Sequence, residues 1–214
     1  MLARQNLVGK FMSKSVFNPS SQESYISHKI VAGLERIAEA FKVLLWEKAK
    51  LLGLSPIQIQ LLIFIQYHKA ELCNVSHLAK EFNVTKPTVS DAIRALDGKS
   101  LIIKEYSEID SRRYNIQLSV LGKEMVKETE DFANPLRDQL RHFEKPDLEN
   151  LYESLSKLIF QLNQHGILTV QRTCFGCKFY ERTRTQDYCH WLEKELSSPD
   201  IRLDCPEYEE REGG

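Results

Sequence analysis

The chain has 214 residues, 42% of them apolar, and a formal net charge of −1. That length suits one generous domain, or one domain with a small appendage, around a sizeable buried core. So balanced a charge gives electrostatics no power to select nucleic acid or a membrane surface as partner. The asymmetry is mild, with residues 171–214 carrying −3 and residues 1–170 carrying +2. The longest unbroken aliphatic and aromatic run, Leu61–Ile65, is far short of a bilayer span. Arg4, Lys10 and Lys14 mark the N-terminal region, which lacks the apolar stretch of a secretory signal. A cytoplasmic location without membrane contact is the expectation, and there cysteines serve as metal ligands or redox groups more often than as disulfides.

Residues 1–20 show no sustained periodicity and read as a mobile arm. Ser20 and Glu23 stand at capping-box spacing, and Ile26, Ile30, Leu34, Ile37, Phe41 and Leu44 follow at helical intervals. One helix is therefore expected from Ser20 to about Leu52, stopped by Gly53. Ser55-Pro56-Ile57-Gln58 opens a second helix with a cap, a first-turn proline and a reciprocal Gln. That helix is apolar nearly all round, so it should be buried on most sides. Asn74 caps a short helix to Phe82, Asn83-Val84 turns the chain, and Thr85 caps another helix that ends near Gly98. Two short helices so closely joined, with Leu78, Ala79, Val84, Val89, Ile93 and Leu96 facing inward, describe a helix-turn-helix. Leu101–Tyr106 and Tyr114–Leu118 read as strands of a hairpin placed as a wing. Ser119 caps a long helix that Pro135 should kink or break, and Pro146-Asp147 begins a last one that closes before Gly166.

This order of elements resembles the MarR family of bacterial regulators. The wing segment Asp110-Ser111-Arg112-Arg113 is similar to that family's D-x-R motif, and Leu118-Ser119-Val120-Leu121-Gly122-Lys123 is similar to its L-T-x-x-G-[KR] sequence, with Ser for Thr at the cap. The resemblance spans roughly residues 20–164. It implies a homodimer on a palindromic site in double-stranded DNA, with the first and last long helices interlocking, and a small-molecule effector. The wide apolar stripes of those helices point to self-association independently. The fold expected is mainly α with a small β-hairpin wing: a winged helix-turn-helix with a helical dimerisation region over residues 21–166.

In such a fold the recognition helix enters the major groove. Thr85 at its cap, then Lys86, Thr88, Ser90, Asp91 and Arg94, are the exposed candidates for phosphate and base contacts, with Asp91 equally suited to a helix-surface ion pair. Arg112 at the wing tip is the candidate minor-groove reader, oriented by Asp110, with Arg113 beside it.

Residues 167–214 differ in composition. Cys174-x2-Cys177 is followed by Cys189 and Cys205 in a stretch with few apolar positions, which is how a small metal-stapled segment reads. Four thiolates suit a structural Zn2+, with an iron–sulfur cluster or a thiol–disulfide switch as alternatives. Cys73 stands apart and reads as a small buried side chain, His77 as a surface or capping group, and Trp46 and Trp191 as packing groups. There is no nucleophile–base pattern, phosphate loop or open metal site, so no enzyme is expected. The two readings that remain are a DNA-binding regulator, in all expectation a repressor, and a metal-stabilised protein-interaction scaffold that uses the winged helix for docking.

Overall fold

The computed structural model describes residues 15–106, 114–183 and 186–211. Contacts divide the chain into two units, residues 1–44 and 45–214.

In the first unit the Asn18 side chain accepts the Ser20 N–H at 3.1 Å and Pro19 occupies the first helical position, giving α1 (Pro19–Gln22). The cap expected at Ser20 is therefore taken two residues earlier. An Asn-Pro pair combines a strong cap with a preset φ, and it starts a separate single turn. Ser21 is fully buried, its hydroxyl donating to the carbonyls of Ser15 and Asn18. The chain then turns, and the long helix α2 begins only at Ile26 and runs to Leu52. Gly53 ends it in the left-handed region (φ +63°), where a side chain would be strained, and the Leu54 N–H reaches back to the Ala49 carbonyl at 3.0 Å.

The second unit is built around α3 (Pro56–Tyr67), whose Gln58 side chain accepts the Ser55 N–H at 2.9 Å. Ile59, Leu61, Leu62, Phe64 and Ile65 are all buried, as the apolar run requires. α4 (Val75–Glu81) is capped by Asn74, which accepts from the His77 N–H at 3.0 Å. Asn83 makes the turn with φ +50°, and α5 (Lys86–Gly98) follows. Leu78, Val89, Ile93 and Leu96 are buried to 1% exposure or less, so the helix pair is locked by its own inner faces.

β1 (Ile102–Tyr106) and β2 (Tyr114–Leu118) pair antiparallel, Ile102 opposite Leu118 and Tyr106 opposite Tyr114. The Ile116 N–H donates to the Cys73 carbonyl at 2.8 Å, so the segment before α4 lines the other side of β2. α6 (Val120–Thr129) is capped by the Ser119 hydroxyl and packs on α3. Gly122 lies against the Leu101 carbonyl, and a Cβ there would stand 1.9 Å from that oxygen. The helix expected to run through Pro135 stops at Thr129, and α7 (Asn134–Gln139) takes the proline in its first turn. Proline breaks the run rather than bending it, because position one is where its missing N–H is harmless. α8 (Lys145–Gln164) ends at Gly166, again left-handed at φ +70°.

The remainder folds as a small three-stranded antiparallel sheet, β3 (Tyr180–Arg182), β4 (Asp187–Cys189) and β5 (Lys194–Leu196). Its core holds Cys174, Cys177, Tyr180, Leu196 and Ile201. Among the described residues no single helix is long and apolar enough to cross a membrane.

Candidate nucleic-acid interface and cysteine cluster

α5 sorts its residues cleanly. Val89, Ala92, Ile93 and Leu96 face the core, while Lys86, Thr88, Asp91 and Arg94 are exposed and Ser90 is half-buried. The helix start is fixed by Thr85, whose hydroxyl accepts the Thr88 N–H at 3.3 Å and meets the Thr88 hydroxyl at 2.8 Å. Asp91 pairs with Arg94 at 2.8 Å, one of the two roles expected of it, and this places a guanidinium and a carboxylate side by side on the outer face. At the far end Asp97 holds Lys104 of β1 at 2.6 Å, tying helix to wing. Asp110, Arg112 and Arg113 lie outside the described residues.

The four later cysteines come from separate places. Cys174 and Cys177 flank one tight turn, in which the Cys177 N–H donates to the Cys174 carbonyl at 2.9 Å. Cys189 ends β4, and Cys205 follows on an extended segment whose N–H donates to the Arg172 carbonyl at 3.1 Å. The fold brings all four to one small pocket of about 20 Å³, room for a single water-sized sphere. The Arg202 N–H donates to the Cys174 sulfur at 3.2 Å, and the Arg202 guanidinium lies 3.7 Å from the Cys205 sulfur. Burial pushes the Cys174 thiol up, and the three neighbouring cysteines push it the same way. As the side chains stand, no group of three or more His, Cys, Asp or Glu among the described residues is arranged to hold a metal ion. Cys73 is separate and buried, its thiol donating to the Lys69 carbonyl at 3.4 Å.

A cluster that sequence reading missed joins this lobe to the helix-turn-helix. Arg172 is nearly buried and forks onto Glu81 of α4 at 2.8 and 3.0 Å, while its Nε reaches Asp204 at 2.5 Å. Asp204 also accepts from His68, at the end of α3, at 2.7 Å. His68 has the Phe64 carbonyl on its other ring nitrogen at 2.8 Å. Both partners are acceptors, so the imidazolium satisfies both. Burial works against the charged ring, but the Asp204 hydrogen bond and charge prevail and His68 is raised above its ordinary value. Against its own burial, the His68 and Arg172 hydrogen bonds and charges hold Asp204 well below the usual carboxylate range. The Thr169 hydroxyl donates to the Lys80 carbonyl at 2.5 Å, and Tyr152 of α8 donates to the Ile201 carbonyl. His77 is the cap partner, its N–H donating to Asn74, but its ring is partly buried with Nε2 unbonded, 3.6 Å from Glu81. Of these, His68, His77, Lys80, Thr169, Arg172 and Asp204 line an open cleft of about 790 Å³.

Residues 52–113 match the model of the MarR family. Over these residues the chain is similar to the MarR family. Solved structures agree on the fold. The S. aureus MepR–DNA complex is 24% identical with a TM-score of 0.55, the likeness covering 62% of this chain and 97% of that one. S. aureus MepR in its DNA-binding conformation is 23% identical at a TM-score of 0.55, covering 62% and 98%. A MarR transcriptional regulator from Methanosarcina mazei Go1 is 18% identical at 0.54, covering 64% and 96%. No curated protein sequence matches the chain. In MarR terms α4 and α5 form the helix-turn-helix and β1–β2 the wing.

Proposed function

We propose that the protein is a transcriptional regulator that binds a palindromic site in double-stranded DNA as a homodimer and acts as a repressor. The observation that carries this is α5: capped, packed on one face, and presenting Lys86, Thr88, Asp91 and Arg94 on the other beside a β-hairpin, in a MarR-type fold. That MepR, of the same fold, is seen with DNA supports it. Asp91 would have to release Arg94, or the pair would meet the groove together; an exposed ion pair costs little to open. The apolar residues Ile26, Ile30, Ile37, Trp46 and Leu51 are more than half exposed, which supports a second copy covering them.

The four cysteines in this reading form a tetrahedral thiolate site for Zn2+, with an iron–sulfur cluster as the alternative. Support comes from their convergence on one ion-sized pocket and from the N–H that Arg202 directs at the Cys174 sulfur. Closing the set requires the thiols to turn inward, which deprotonation and the charge of the ion drive.

The decisive experiment selects duplex DNA from a random pool and measures affinity against salt. Binding should weaken steeply as salt rises, and Arg112→Ala should cost about 1–3 kcal/mol. Failure to enrich any duplex refutes the reading. Sedimentation should give a dimer. Metal analysis with an absorption spectrum separates a colourless zinc protein from a coloured iron–sulfur one.

A further inference from the structure

The groups that grip the helix-turn-helix sit at the roots of the cysteine ligands. Arg172 is two residues before Cys174, and Asp204 immediately precedes Cys205. Their backbones are bridged: the Cys205 N–H donates to the Arg172 carbonyl at 3.1 Å, and the Cys174 N–H donates to the Arg202 carbonyl at 3.2 Å. Whatever holds Cys174 and Cys205 together therefore holds Arg172 and Asp204 side by side. From there the contacts run outward, Arg172 to Glu81 on α4 and Asp204 to His68 at the end of α3. The lobe itself is slight. Its strands are three residues each, and two of its five buried core residues are Cys174 and Cys177. A segment of that size depends on a staple.

We propose that occupancy of the four-cysteine site controls DNA binding, with Arg172 and Asp204 as the positioning residues that carry it to α4. This rests on the reading of the four cysteines as a metal site. In the loaded state the lobe braces the first helix of the motif from behind, while Lys86, Thr88, Asp91 and Arg94 on α5 stay exposed. Loss of the metal lets the two ligand strands part. Asp204 leaves His68 and Arg172, Glu81 loses its fork, and α4 is freed at the end where Thr169 also held the Lys80 carbonyl. The loaded form is the DNA-binding form, and stripping it releases the operator. The protein is in this sense a sensor of a thiophilic divalent cation.

The test uses the full chain with a selected duplex, comparing zinc-loaded protein with protein stripped by chelator under reducing conditions. Three readouts are taken: zinc per chain, duplex affinity, and hydrogen exchange over residues 75–81. The expected result is one zinc per chain, affinity at least about tenfold weaker after stripping, and faster exchange in α4. Glu81→Gln should still bind one zinc but show a loaded-to-stripped affinity ratio below about threefold. Arg172→Lys, which keeps the charge but loses the fork, should fall between it and the native chain. If zinc binds and loaded and stripped protein bind the duplex equally, the coupling is overturned while the metal site stands. If Glu81→Gln switches as fully as the native chain, the route through Arg172 is overturned. A chain that takes up no zinc overturns the metal site, and the coupling with it. A chain that binds no duplex in either state overturns the regulator reading.

Discussion

Gly122 is the position where a single methyl group should do the most damage. Its Cβ would lie 1.9 Å from the Leu101 carbonyl oxygen and 3.4 Å from the Leu118 Cβ, between α6 and the base of the wing. Contacts below 3.0 Å are essentially never made, so Gly122→Ala must push α6 and that carbonyl apart by more than 1.1 Å. The obstacle is backbone and cannot rotate away. Overpacking of this kind costs about 1–3 kcal/mol. The same carbonyl accepts the Ser119 N–H at 3.1 Å, and straining that bond adds about 1 kcal/mol. A loss of about 2–4 kcal/mol in urea denaturation is expected. Gly98→Ala is the internal control. It lies in α5 with nothing within 4 Å of an added Cβ, and should raise stability by about 0.4–1 kcal/mol. If Gly122→Ala lies within about 0.5 kcal/mol of the native chain, the close approach of α6 to the wing is not rigid and the argument fails.

His77 on α4 is held below its ordinary value, chiefly because burial disfavours the imidazolium and because Arg172, Lys80 and His68 are near; Glu81 opposes this. The unfolded chain then binds more protons below the ordinary value of 6.5, so this residue's contribution to stability falls on acidification through that region. His77→Gln should shrink the loss of stability on going from pH about 7.5 to about 5.5, measured as the shift in denaturation midpoint against the native chain; an unchanged or larger loss refutes it. Cys73 has its thiol pushed up to about 11, by burial first and Glu71 second, so at pH 8 only about one molecule in a thousand is thiolate. Mass spectrometry should find it unmodified by iodoacetamide in the native protein and modified on unfolding, and equal rates in the two states would contradict the burial. Asn83 turns the motif at φ +50°, so Asn83→Gly should stay within about 0.5 kcal/mol of native while Asn83→Val loses about 1–2 kcal/mol by thermal denaturation. Equal stability of the two variants would refute the strain argument.

The features legible in the sequence are those whose physics is local. A cap needs one side chain and an N–H two or three residues on, so Ser55, Asn74, Thr85 and Ser119 could each be placed from their neighbours alone, and each acts at the helix start expected of it. The two strands of the wing were placed in the same way, the second, Tyr114–Leu118, by its two-residue alternation. Where two local signals competed, spacing could not rank them. Ser20 with Glu23 satisfies the box pattern, but Asn18-Pro19 lies two residues upstream and captures the start, separating α1 from α2. Pro135 announced a break without saying on which side the chain would resume helix, and the preceding helix had already ended at Thr129.

The clamp was out of reach for a different reason. Arg172 meets Glu81 across 91 residues of chain, and His68 meets Asp204 across 136. No periodicity or motif connects such positions, and each residue taken alone is an ordinary surface charge. The same pairing explains why net charge was a poor guide. The lobe is acidic by composition, yet Asp204, Asp187, Asp200 and Glu209 each have an Arg or Lys nitrogen within 4 Å, and Glu181 meets the His190 ring. Pairing of this kind damps the local field of those carboxylates without altering the lobe's net charge of −3 over residues 171–214. What a duplex would meet is set by the outward residues of α5 and by the wing. Among the described residues three ion pairs carry lobe charge across to the winged helix, Arg172 with Glu81, Asp204 with His68 and Glu207 with Lys69, and of these the guanidinium of Arg172 on Glu81 is the one that reaches α4.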